Sequence, residues 1–190
     1  TIAMLGPQTN WRGAGAAPES PGIKEWWSWG GAHFNGGNIT PAAEFNLFAD
    51  PHAAQIVLAS GVKLTYVPLD VTHKILTSEQ RLKQIAALGN NAGKLVDGIL
   101  NEYVKLDMEH YGLPGGPVHD ASVIAWLLKP ELFSGRQINV AIDTREGIGF
   151  GQTVADWYGT LKQPQNVFWV EDGNAQGFFD LLTERLKRLK

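Results

Sequence analysis

Asp50-Pro51-His52-Ala53-Ala54-Gln55-Ile56-Val57-Leu58-Ala59-Ser60-Gly61 runs almost directly into Leu64-Thr65-Tyr66-Val67-Pro68-Leu69. The first stretch reads as a helix. Asp50 can cap it, and Pro51 stands at the first helical position, where its missing N–H costs nothing. Ala53, Ala54, Ile56, Val57 and Leu58 supply an apolar side, and Gly61 ends it. The second stretch, rich in β-branched and aromatic residues, reads as a strand. Upstream, Glu25-Trp26-Trp27-Ser28-Trp29 reads as another strand, stopped by Gly30-Gly31, and Ile2 to Leu5 as a third, stopped by Gly6-Pro7. Residues 11–22, rich in Gly, Pro and Ala, read as a loop.

Downstream the alternation continues. Thr77-Ser78-Glu79-Gln80 reads as a capping box for a helix to about Leu88. Residues 91–111 read as a long helix with Leu95, Ile99, Tyr103 and Leu106 on one face. A helix follows His119-Asp120 and stops at Pro130. Residues 138–142, 153–158 and 166–170 read as strands, and 174–190 as a helix with a basic last turn. Strands alternating with helices predict one α/β domain over 1–190. Its sheet is expected to be a largely parallel, Rossmann-like open sheet with flanking helices and a few antiparallel strands near the C-terminus.

Composition bounds the function. The chain has 190 residues, 44% apolar and 18% charged, enough apolar material for a sizeable core. A net charge of −3 gives no electrostatic footprint for nucleic acid. The absence of cysteine excludes a disulfide framework, a thiolate zinc site and a cysteine nucleophile. No apolar run is long enough to span a membrane.

Three stretches carry groups suited to chemistry. Gly37-Asn38-Ile39-Thr40-Pro41-Ala42-Ala43-Glu44-Phe45-Asn46 holds a carboxylate and two carboxamides in a long unpatterned loop. Amides donate and accept, and a carboxylate accepts, which suits vicinal hydroxyls of a sugar. Turn-forming asparagines and a solvated Glu44 are the plainer reading. Gly115-Gly116-Pro117-Val118-His119-Asp120 delivers a His-Asp pair to a helix start, where Asp120 is either a functional group or an N-cap. Thr1 to Asn10 ends a strand whose main-chain carbonyls could face a hard cation. His73 reads as structural, and Gly147 to Gly151 as a turn.

Together these stretches resemble the inosine–uridine-preferring nucleoside N-ribohydrolases. The matching elements are Gly6-Pro7-Gln8-Thr9-Asn10, Gly30-Gly31-Ala32, the block 37–46, Leu69-Asp70-Val71-Thr72-His73 and His119-Asp120, in the family's order. The resemblance implies cleavage of the N-glycosidic bond of purine or pyrimidine ribonucleosides to ribose and free base, through an oxocarbenium-like transition state. It implies a Ca²⁺ ion that grips ribose hydroxyls and orients the attacking water. It implies that Asp120 ligates calcium and contacts ribose, and that Met4 offers its main-chain carbonyl to the ion. Asn38, Glu44 and Asn46 would hold ribose hydroxyls, and His119 would protonate or polarise the departing base. Tyr103 reads as core packing, with a base contact as the second reading.

The family's leading Asp-x-Asp-Pro-Gly-x-Asp-Asp cluster is absent, so the likeness covers roughly the family's C-terminal two-thirds, without its first βαβ units. A fragment, a truncated gene product or one piece of a split protein is therefore expected. One carboxylate and one carbonyl fall short of the 6–8 oxygens Ca²⁺ takes, so calcium binding by this chain is expected to be weak or absent and hydrolysis impaired. The alternative is a non-catalytic ribose- or nucleoside-binding module, or an assembly module with an open sheet edge. The resemblance also implies a cytoplasmic homo-oligomer, a dimer or tetramer.

Overall fold

The computed structural model describes residues 1–11 and 24–189. The loop expected over 11–22 lies, apart from Trp11, outside the described residues. The chain forms two compact units, Thr1–Val71 with Phe133–Asp172, and Thr72–Leu132 with Gly173–Lys190.

The first unit is built on a sheet. Its strands are β1 (Ile2–Met4), β2 (Glu25–Trp29), β3 (Lys63–Val67), β6 (Phe133–Ile142), β7 (Thr153–Asp156) and β8 (Val167–Gly173), in the order β1-β2-β3-β8-β6-β7. The pairs β1–β2, β2–β3 and β3–β8 are parallel, and β6–β7 is antiparallel. The expected α/β architecture, with its antiparallel strands near the C-terminus, is therefore observed. β1 is an edge of the sheet among the described residues.

Helix α1 (Phe45–Ala49) and helix α2 (Pro51–Leu58) lie between β2 and β3 in the chain. Asp50 caps α2 as expected, accepting from the Ala53 N–H at 3.0 Å. α2 buries Ala54, Val57 and Leu58 against Trp26, Leu64, Tyr66, Val140 and Trp169 in one apolar cluster. The expected strand over 64–69 is β3, which ends at Val67; Leu69–Thr72 is instead a short helix, α3. Pro68 lacks the N–H a strand would donate, and the chain turns there.

Two buried hydroxyls in this unit are paired through one buried amide. Gln8 lies in a single 3-10 turn (Gln8–Trp11) and is fully buried. Its Nε2 donates to Ser28 Oγ at 2.9 Å and to Tyr66 Oη at 2.6 Å. A polar residue at position 8 thus serves the β2–β3 layer, since Tyr66 and Ser28 would otherwise be hydroxyls in an apolar core. The Tyr66 ring stacks on Trp169 at 6.4 Å.

The second unit is helical, with a two-stranded antiparallel ribbon of β4 (Leu76–Thr77) and β5 (Gly116–Pro117). Its helices are α4 (Glu79–Ala86), α5 (Asn91–Tyr111), α6 (Asp120–Leu128) and α7 (Ala175–Lys187). The cap of α4 is Ser78, which accepts from the Arg81 N–H. The expected box at 77–80 is thus a simple cap one residue later, and Gln80 has no reciprocal role. Asn90 caps α5 and also donates from Nδ2 to the Leu186 and Leu189 carbonyls, tying α5 to α7. An apolar groove of about 250 Å³ runs between α6 and α7, lined by Ile124, Leu128, Phe178, Leu181 and Arg185.

The apolar stripe on α5 is where expectation and structure part. Leu95, Ile99, Tyr103 and Leu106 are 65, 54, 58 and 65% exposed. The core-packing reading of Tyr103 is therefore wrong. A 3.6-residue period places side chains on one face, but what covers that face depends on the elements around it. Urea denaturation checks this contrast within one unit. Ile85→Ala, at a fully buried site on α4, is expected to cost about 2–5 kcal/mol. Ile99→Ala is expected to cost no more than about 0.5 kcal/mol; equal costs would contradict the exposure of the stripe.

Candidate functional site

In the first unit, the chain leaves β2 at Gly30 and enters a segment without regular structure. Six consecutive main-chain N–H groups nevertheless find acceptors. Gly30 N–H reaches the Val67 carbonyl at 3.3 Å. Gly31 N–H donates to Glu44 Oε2 at 3.1 Å, and Ala32 N–H to Thr153 Oγ1 at 3.4 Å. His33, Phe34 and Asn35 N–H all donate to the Asp70 carboxylate, at shortest distances of 3.1, 2.9 and 2.8 Å. Gly31 has φ +89°, and a Cβ there would stand 2.9 Å from the Trp169 ring, so only glycine fits.

The block 37–46 closes on itself. Asn38, Ile39 and Thr40 N–H converge on the Ala43 carbonyl, at 3.1, 3.3 and 3.5 Å. A Cβ at Gly37 would lie 2.2 Å from the carbonyl oxygens of Thr40 and Ala43. Asn38 Oδ1 accepts from the Phe45 N–H at 2.8 Å. Glu44 is fully buried and is the N-cap of α1, accepting from Asn46 N–H at 2.9 Å and Leu47 N–H at 3.4 Å. The solvated-Glu44 reading is thereby excluded. Asn46 is buried, and its Nδ2 donates to the Trp29 carbonyl at 3.3 Å. Met4 is buried in β1, in register with Ser28. Burial pushes the Tyr66 phenol above its ordinary range; the Gln8 bond opposes this and the Glu44 carboxylate adds to it.

In the second unit, His119 precedes α6 and Asp120 is its first residue. Asp120 is therefore not the N-cap; that position is His119, which makes no side-chain cap bond. His119 Nδ1 lies 2.9 Å from Thr72 Oγ1, and its ring centroid 5.9 Å from that of His73. Burial pushes the His119 imidazole down to about 3, and the neighbouring His73 pushes in the same direction. Partial shielding from water raises the Asp120 carboxyl above its ordinary range, although the residue as a whole is exposed.

Among the described residues, no three His, Cys, Asp or Glu side chains come together in a group able to hold a metal ion. Asp120, in the second unit, and the Met4 carbonyl, in the first, are two oxygen donors, against the 6–8 that Ca²⁺ takes. Among the described residues no helix is long and apolar enough to cross a membrane.

The model of the family described as "Inosine-uridine preferring nucleoside hydrolase" matches residues 1–180. The chain belongs to this nucleoside hydrolase family. An uncharacterized Schizosaccharomyces pombe protein is 41% identical over 193 residues, covering 100% of this chain and 62% of that protein. The pyrimidine-specific ribonucleoside hydrolase RihB of Escherichia coli is 39% identical over 168 residues, covering 87% of this chain and 53% of that enzyme. A solved structure, the purine-preferring ribonucleoside hydrolase from Gardnerella vaginalis, superposes with a TM-score of 0.85 at 29% identity, covering 99% of this chain and 60% of that one. The chain thus spans about half to three-fifths of the length of these relatives.

Within this chain, Met4, Asn38, Glu44 and Asn46 belong to the first unit, His119 and Asp120 to the second. Sequence reading gave no role to Asp70, Thr153 or Thr72, whose side chains meet main-chain N–H groups at 32–35 or the His119 imidazole. The one available signal was that Asp70 and Thr72 lie in the family block 69–73.

The low His119 basicity has a consequence for stability. The unfolded chain protonates this imidazole below about 6.5, whereas the folded chain resists protonation down to about 3. Protons then favour unfolding across that window, so this contribution to stability falls as pH falls. Tm measured from pH 7 to pH 4 is expected to drop more steeply for the native chain than for His119→Gln. Parallel curves would contradict a neutral, half-buried His119.

Proposed function

We propose that this chain carries the sugar-recognition machinery of a nucleoside N-ribohydrolase acting on purine or pyrimidine ribonucleosides. The observation that carries the reading is the 37–46 loop, whose Asn38, Glu44 and Asn46 are held by main-chain bonds within the first unit. Asn38 Nδ2 is available as a donor to a hydroxyl. Glu44 Oε2 already accepts from Gly31 and Leu47, so a ribose O–H is proposed to meet Oε1, which accepts from Asn46. Held carboxamides and a carboxylate bind a furanose without reorganising, which favours the flattened, oxocarbenium-like sugar if they fit it better than the ground state.

His119 is proposed to act on the departing base. With its basicity so low, it acts at neutral pH as a neutral imidazole. It polarises the base by donating a hydrogen bond, and it carries no imidazolium proton to transfer. If the Thr72 hydroxyl donates to Nδ1, the imidazole hydrogen resides on Nε2. Asp120 is proposed as a contact for ribose and, in a complete site, for calcium. Binding without turnover is the second reading. Self-association into a dimer or tetramer belongs to the same proposal and is supported by the exposed apolar stripe on α5.

Calorimetry with D-ribose, set beside inosine and uridine hydrolysis with Ca²⁺ present, tests the proposal. The 190-residue chain is expected to bind ribose and turn over little or none of either nucleoside. Asn38→Ala is expected to weaken ribose binding about tenfold, the equivalent of ~1.4 kcal/mol. No ribose binding would overturn the sugar site, and brisk turnover would overturn the impairment. Titration with Ca²⁺ is expected to show no site tighter than about 10⁻³ M; a micromolar site would contradict the donor count.

A further inference from the structure

We propose that Asp70 is the positioning residue of the sugar-binding loop. Its buried carboxylate gathers the main-chain N–H groups of His33, Phe34 and Asn35, and so sets the segment from which Asn38, Glu44 and Asn46 are presented. The inference rests on the reading of residues 37–46 as a sugar site.

The chemistry of the donors selects a carboxylate. Three consecutive N–H groups and the Trp169 indole N–H, at 3.3 Å, converge on the two Asp70 oxygens. A group that only accepts, and carries negative charge, satisfies all four. An asparagine amide would turn an NH₂ toward donors. Asp70 is 3% exposed, so the donors in turn are what make its burial tolerable.

The placement makes it a fixed point. Asp70 follows β3 directly, and Trp169 lies on β8, the strand paired with β3. The loop is therefore referenced to two central strands. Leu69 on the same turn adds two bonds, donating its N–H to the Gly31 carbonyl at 2.9 Å and accepting from Asn35 Nδ2 at 3.2 Å. Glu44 is a second latch, joined to the first through Gly31, and it holds Gly31, Asn46 and Leu47. Loss of the Asp70 carboxylate thus frees residues 33–35 while the Glu44 latch stays, which loosens the loop without dismantling the sheet.

The test is Asp70→Asn in the full 190-residue chain, read by NMR amide exchange, Asn side-chain signals and ribose calorimetry. Exchange at His33, Phe34 and Asn35 is expected to rise at least about tenfold with Leu58 and Tyr66 unchanged, and ribose affinity to fall about tenfold. Unchanged exchange at 33–35 overturns the proposal, and so does faster exchange with unaltered affinity. Exchange raised equally at Leu58 and Tyr66 overturns it as well, because Asp70 would then serve global stability. If the native chain binds no ribose, the sugar-site reading fails by itself. The positioning role is then decided by the Asn38 and Asn46 carboxamide signals, which shift in Asp70→Asn if it holds and stay in place if it does not. Should Asp70→Asn not fold, Asp70→Glu, which keeps the charge and moves the acceptors by one methylene, takes its place with the same readings.

Discussion

Two buried carboxylates bonded to main-chain N–H groups are the constraint on which the loop at 30–46 depends. An irregular segment cannot satisfy its backbone through a ladder, and each buried N–H left unpaired costs free energy comparable to a lost hydrogen bond. Here Glu44 and Asp70 replace the ladder, taking the N–H groups of Gly31, His33, Phe34, Asn35, Asn46 and Leu47. The exchange is mutual, because those same bonds stabilise two charges with little access to water. Neither half is stable without the other, so the loop has one shape.

The sheet explains why the carboxylates stand where they do. Asp70 follows the carboxyl end of β3, and the loop leaves the carboxyl end of β2; these are adjacent parallel strands. Parallel sheets collect their binding loops at that edge, because every connection leaves there. The core beneath is stiff, with Trp26, Tyr66 and Trp169 fully buried and Gln8 closing the polar gap at Tyr66 and Ser28. A loop referenced to such strands is positioned by them, as the proposed sugar site requires.

Much of this was legible in the residues. Asp50-Pro51 announced α2, and the runs 25–29 and 64–67 announced β2 and β3. What was illegible arises from contacts distant in the chain. Asp70 reads locally only as an acid in the block 69–73; the fold alone brings it to Phe34 and Asn35, 36 and 35 residues away. His119 reads as a titratable base, and only burial beside His73 makes it a neutral one. On α5 the period was correct, but nothing local says whether another element covers Leu95 and Ile99.

The most direct measurement is an ¹⁵N NMR titration of the 190-residue chain with D-ribose. The account predicts saturable shifts concentrated in the main-chain and carboxamide signals of residues 30–46. Shifts that are absent there, or that gather at Ile124, Leu128 and Phe178 along the apolar groove instead, would contradict it.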